Sequence, residues 1–135
     1  MNREYEVAIN EFPPLGFEKI FTSSNNDSFM ISAKLPNLSV IYNYYNDGTS
    51  DFSIIPFRQD YKALLKDFEL ESICNIGTFD VNWLSERLLY AKKINKEVNE
   101  HIETCDSRRN RSELKTNINI ITVTLLLFII IFNFI

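Results

Sequence analysis

The sequence predicts an α+β head followed by a single membrane-spanning helix, and three observations carry that expectation. Short alternating segments separated by turn residues fill the first half of the chain. Helical spacing replaces them after Pro56. The last twenty residues, Thr116 to Ile135, hold no charge. Strands first and helices after them indicate a small antiparallel sheet of about four or five strands with helices on one side.

Tyr5, Val7 and Ile9 alternate with charged or small residues, the pattern of a short half-buried strand, and Pro13-Pro14 stops it. Phe17–Ser23 and Ser28–Lys34 read as two strands joined across the turn cluster Ser24-Asn25-Asn26-Asp27. Leu38–Tyr45 and Ser50–Ile55 flank Asn46-Asp47-Gly48, a hairpin signal because glycine adopts the positive φ such a turn needs. Tyr61, Leu64, Leu65 and Phe68 then fall at helical spacing, predicting an amphipathic helix from Arg58 to about Cys74, closed by Asn75-Ile76-Gly77. Asp80 is an N-cap for a further helix running past His101.

That helix carries Val81, Leu84, Leu88, Ala91, Asn95, Val98, Ile102 and Cys105 in alternating steps of three and four, an a/d seam with Asn95 at an a position. A second stripe, Trp83, Leu89, Tyr90 and Ile94, could dock on the sheet. The seam therefore fits either pairing with a second copy or ordinary packing on the chain's own strands.

The anchor expectation rests on length and composition. Twenty residues at about 1.5 Å each span about 30 Å, the thickness of a bilayer's hydrocarbon core. Residues 118–135 include 14 Ile, Leu, Phe or Val side chains, each contributing roughly −0.3 to −0.6 kcal/mol to insertion. Asn117, Asn119 and Asn133 lie near the ends, and Thr122 and Thr124 can bond their hydroxyls back to helix carbonyls. Arg108, Arg109, Arg111 and Lys115 form a basic collar just before this segment. By the positive-inside rule the collar faces the cytoplasm, and it can grip anionic lipid headgroups.

Charge narrows the partners. Of 14 basic and 18 acidic residues, four basic and one acidic lie from Arg108 onward, which leaves 10 and 17, or −7, for residues 1–107. An acidic head repels phosphate backbones, so nucleic acid is not an expected partner. The charged opening Met1-Asn2-Arg3-Glu4 has no signal-peptide pattern, which makes Cys74 and Cys105 free thiols in a reducing compartment.

No catalytic pattern emerges. His101 is the one histidine, with Cys105 a turn away on the same helix, and such surface neighbours lack the cleft and orienting group of a nucleophile site. Asp67, Glu69 and Glu71 suit the wet face of a helix, and the three glycines form no phosphate loop. Tyr42, Tyr44, Tyr45, Phe52 and Phe57 could line a ligand or partner surface on the central hairpin, or fill the sheet core.

The resulting expectation is a non-enzymatic tail-anchored protein without cofactor or metal. Residues 1–105 make a cytosolic head with a stalk helix at 80–105, residues 106–115 a basic linker, and residues 116–135 the anchor. The head is expected to bind a protein or small ligand at the membrane, with membrane lipid and a second copy as further partners. The alternative is a ligand-triggered effector whose anchors associate and perturb the bilayer.

Overall fold

The computed structural model describes residues 2–58 and 60–134. Met1, Gln59 and Ile135, which belong to the expected head, first helix and anchor, lie outside the described residues. The chain divides into two compact units, one running to Asn99 and one starting at Glu100.

The first unit opens with helix α1, Asn2–Asn10, and a 3₁₀ turn at Pro13–Leu15. Five strands follow in an antiparallel meander: β1 Glu18–Ser24, β2 Ser28–Lys34, β3 Leu38–Tyr45, β4 Ser50–Pro56 and β5 Glu71–Cys74. A short helix α2, Asp60–Leu64, lies between β4 and β5, and α3 spans Val81–Phe134. This is an α+β fold with strand order β1-β2-β3-β4-β5.

Strand alternation sets the two faces of the sheet. The inner rows join Thr22, Ile31, Tyr42, Phe52 and Ser72, and next to them Ser24, Phe29, Tyr44, Ser50 and Cys74. Ile31, Val40, Tyr42 and Phe52 are buried there, as are Leu84, Leu88, Ala91, Ile94 and Val98 of α3. A ring contact and a hydrogen bond tie α3 to two parts of the sheet. The Tyr42 and Trp83 rings lie 6.5 Å apart, and Arg87 Nη1 donates to Ser72 Oγ at 3.0 Å. Burying a Leu or Ile side chain is worth roughly 1.5–3 kcal/mol, so this layer is where the head's stability comes from. Asp80 caps α3 as its position implied, its Oδ1 accepting from the Trp83 N–H at 3.1 Å.

Two expectations need correction. The Tyr5-Val7-Ile9 segment is helix, not strand. Ala8 and Phe12 are fully buried, and Tyr5 meets Phe29 edge-on at 5.5 Å while its hydroxyl donates to Thr22 Oγ1 at 2.9 Å. Tyr5, Ala8 and Phe12 are spaced three and four apart, and that helical stripe outweighs the alternation of Tyr5, Val7 and Ile9. The helix expected over 58–74 is α2 alone, and its tail is strand β5. Ser72 and Cys74 point inward from β5 while Glu71 and Ile73 point out, an alternation that pairs with β4. Five strands are present, but the fifth comes from after the hairpin. Residues 106–115, expected as a basic linker, lie within α3. No Gly or Pro, the two strongest helix breakers, follows Gly77.

The β3–β4 turn is held tightly. Asp47 Oδ1 accepts from the Thr49 N–H at 2.9 Å and from its hydroxyl at 2.6 Å. Those bonds, the hydroxyl's first, lower the Asp47 pKa. Gly48, at φ 83°, is buried, and a Cβ there would fall 2.1 Å from the Gly77 carbonyl group. Glycine is required on both grounds.

Candidate functional site

The aromatic set from the central hairpin divides by strand parity. Tyr42, Tyr44 and Phe52 face inward and are 0%, 7% and 1% exposed, so they are core residues. Burial pushes the Tyr42 phenol up to about 12, with its hydroxyl 3.3 Å from Ser50 Oγ. Tyr44 packs between Phe29 at 5.3 Å and Phe79 at 5.5 Å, and burial raises its pKa too. Tyr45 and Phe57 are at the surface. The Tyr45 hydroxyl donates to Asp51 Oδ2 at 2.9 Å, which raises its pKa, and Asn43 Nδ2 donates to the other Asp51 oxygen at 2.7 Å.

Phe57 is half-exposed and lines a depression of about 270 Å³ together with Gly16, Glu18, Lys19 and Lys34. Lys34 Nζ sits 5.9 Å from the Phe57 ring centroid, within cation–π range. This partly open depression joins an aromatic wall to two lysines and to Glu18. Sequence reasoning missed the lysines. The register of β1 is irregular between Glu18 and Phe21, and Lys19 takes φ 51° there. Nothing in the local sequence announces that bulge.

The outer sheet face is the other broad feature of the head. Phe21, Ile55 and Ile73 lie on it at 61%, 43% and 78% exposure, with Met30 and Ile41 half-buried between them.

The a/d seam is largely inside the head. Leu84, Leu88 and Ala91 are fully buried and Val98 nearly so. Of the second stripe, Ile94 is buried beside them, while Trp83 and Tyr90 are half-buried. Asn95 is used within the chain: its Oδ1 accepts from the Asn37 N–H at 2.9 Å. Tyr90 meets Phe68 at 6.1 Å, and its hydroxyl oxygen accepts from the Glu69 N–H at 3.0 Å. Val81 and Ile102 are half-buried, while Cys105 and Leu89 are exposed.

The second unit is helix throughout its described length. Arg108, Arg109, Arg111 and Lys115 are all exposed. Arg109 Nε pairs with Glu113 at 3.2 Å, and Arg108 and Arg111 flank a shallow groove shared with Glu100 and Glu103. The collar is therefore basic with acidic neighbours. α3 is long and apolar enough to cross a membrane, and none of its apolar window is buried. Thr122 and Thr124 donate to the carbonyls of Ile118 and Ile120 at 3.0 and 2.9 Å, which removes two hydroxyl donors from the surface.

Cys105 Sγ and His101 Nε2 do meet, at 3.3 Å, on an exposed helix flank with no cleft around them. Among the described residues the buried polar side chains are Ser50 and Ser72, so no carboxylate is enclosed. Glu69 instead lies 3.6 Å from Arg87, and Glu71 is exposed on β5. No three His, Cys, Asp or Glu side chains gather as a metal would need among the described residues. Compared with protein-family models, curated proteins and solved structures, the chain matches none.

Proposed function

We propose that this chain is a single-pass membrane protein whose head binds a protein or small ligand beside the bilayer, without catalysing a reaction. The observation that carries the anchor is the stretch from Ile118 to Phe134, whose apolar side chains are all more than half exposed. Water penalises such a surface heavily, and a lipid core removes the penalty while the helix satisfies its own backbone bonds. The Phe57–Lys34 depression and the exposed apolar residues of the outer sheet face support binding by the head. The Arg/Lys collar supports a cytoplasmic head.

The test is fractionation of the full chain and of a version ending at Lys115. The full chain should resist alkaline extraction from membranes, the shortened chain should be released, and protease added to the cytoplasmic side should digest the head. Release of the full chain, or a head shielded from that protease, would overturn the anchor or its orientation respectively.

A further inference from the structure

The two edges of the sheet differ. An edge strand presents unpaired N–H and C=O groups, which proteins shield with bulges, charges or covering segments. β1 carries such devices: its register breaks between Glu18 and Phe21, and the exposed Glu18 and Lys19 sit at the irregularity. β5 has no proline, its one charge is Glu71 at its start, and its four pairs with β4 run without a break.

The register also says where the backbone groups of β5 point. The Ile54 N–H bonds to the Leu70 carbonyl at 2.8 Å, in phase with the pairs Phe52–Ser72 and Ser50–Cys74. Hydrogen-bonded and non-hydrogen-bonded pairs alternate along an antiparallel ladder. Ser72 and Cys74 therefore turn their N–H and C=O groups toward β4, and Glu71 and Ile73 turn theirs to the open edge. Among the described residues no group hydrogen-bonds those outward groups. The side chains of Ile73 and Ile76 flank the edge at 78% and 60% exposure.

We propose that β5 pairs antiparallel with β5 of a second copy, joining two sheets across a twofold axis. Centring the pairing on Ile73 lets the two Ile73 residues exchange both backbone bonds and bury their side chains against each other. Glu71 then faces Asn75 of the second copy, so the edge is complementary to itself. A register centred on Glu71 would set two carboxylates opposite one another, which is unfavourable. Each surface patch meets its own counterpart, as a closed twofold dimer requires. The association is independent of the anchor, and it uses a surface distinct from the helix seam, whose Leu84, Leu88, Ala91 and Val98 the head has already buried.

The test uses the full chain in membranes and in detergent. In a Cys105→Ser background, Ile73→Cys should form an intermolecular disulfide on mild oxidation, because directly opposed strand residues bring Cα atoms to about 5.5 Å, within disulfide reach. Phe21→Cys and Ile55→Cys, also exposed on the outer face, serve as collision controls, and position 73 should cross-link at least tenfold faster. Light scattering in detergent should show a dimer in the wild type. Ile73→Lys should make it a monomer with unchanged circular dichroism, since the side chain is solvent-exposed. Equal cross-linking at positions 73, 21 and 55, a monomeric wild type, or a dimer that survives Ile73→Lys would each overturn the proposal. Cross-links between positions 21 and 73 of a mixed pair would show head-to-tail pairing of β1 on β5 and overturn the twofold arrangement.

Discussion

Two stretches of α3 are rich in apolar residues and use them in opposite ways. From Leu84 to Val98 the buried side chains recur every three or four positions, and Lys92, Lys93, Lys96 and Glu97 are exposed between them. From Ile118 to Phe134 apolar residues occupy every side of the helix, and all are more than half exposed. Periodicity marks a helix that packs on protein, because only one face is shielded from water. Its loss leaves apolar side chains around the whole circumference, the pattern that makes a helix of this length apolar enough to cross a membrane. The difference between the stretches is one of burial, since both are α-helical.

The comparison can be broken by exchanging what each stretch tolerates. Leu126→Arg combined with Ile129→Arg places two charges mid-anchor, at about 2.5–3.5 kcal/mol each. The chain should lose membrane retention in alkaline extraction while the head's thermal unfolding is unchanged. Leu88→Ala acts on the other stretch. It opens a cavity in the packed layer and should lower head stability by about 2–5 kcal/mol in denaturant unfolding, with membrane retention intact.

A smaller effect concerns the layer beneath α3 and depends on pH. Tyr42 ionises at about 12 in the head against an ordinary value of 10.0. The unfolded chain therefore gives up this proton first, so the contribution is complete below pH 10 and is lost as pH rises toward 12. The loss should approach about 2–3 kcal/mol across that window. Unfolding measured from pH 9 to 12 should show a shallower decline in Tyr42→Phe than in the wild type. The smallest effect is at Asn95. Asn95→Ala leaves the Asn37 N–H without its acceptor and should cost about 1 kcal/mol of head stability. A gain in stability in that variant would mean Asn95 does not serve as that acceptor.

Much of the fold was legible because local signals agreed with the tertiary outcome. β2 and β3 and the hairpin turn at Asn46–Gly48 follow from alternation and a glycine at positive φ. The long apolar helical segment after Lys115 was legible from composition, and the Asp80 cap from residue type. What the local pattern misread were segments that match two periods at once. Tyr5, Val7 and Ile9 fit a strand, yet Tyr5, Ala8 and Phe12 fit a helix, and contact with Phe29 decides between them. Glu71–Cys74 became strand because β4 offered an edge, which no window of sequence displays. The candidate site was less legible still. Tyr42, Tyr44 and Phe52 were inseparable from surface aromatics until strand parity was known. Lys34 reaches Phe57 through the β2–β3–β4 register, and Lys19 lines the same depression from the irregular part of β1.

Site-directed nitroxide scanning of α3 in lipid bilayers tests the central claim most directly, using oxygen as the lipid-borne probe and a water-soluble nickel complex as the aqueous one. Labels from position 118 to 134 should favour oxygen on every side, with greatest depth near Leu126, while a label at the exposed Leu89 favours the nickel complex. A 3.6-residue oscillation across 118–134, or nickel access throughout it, would place that stretch against protein or water and contradict the account.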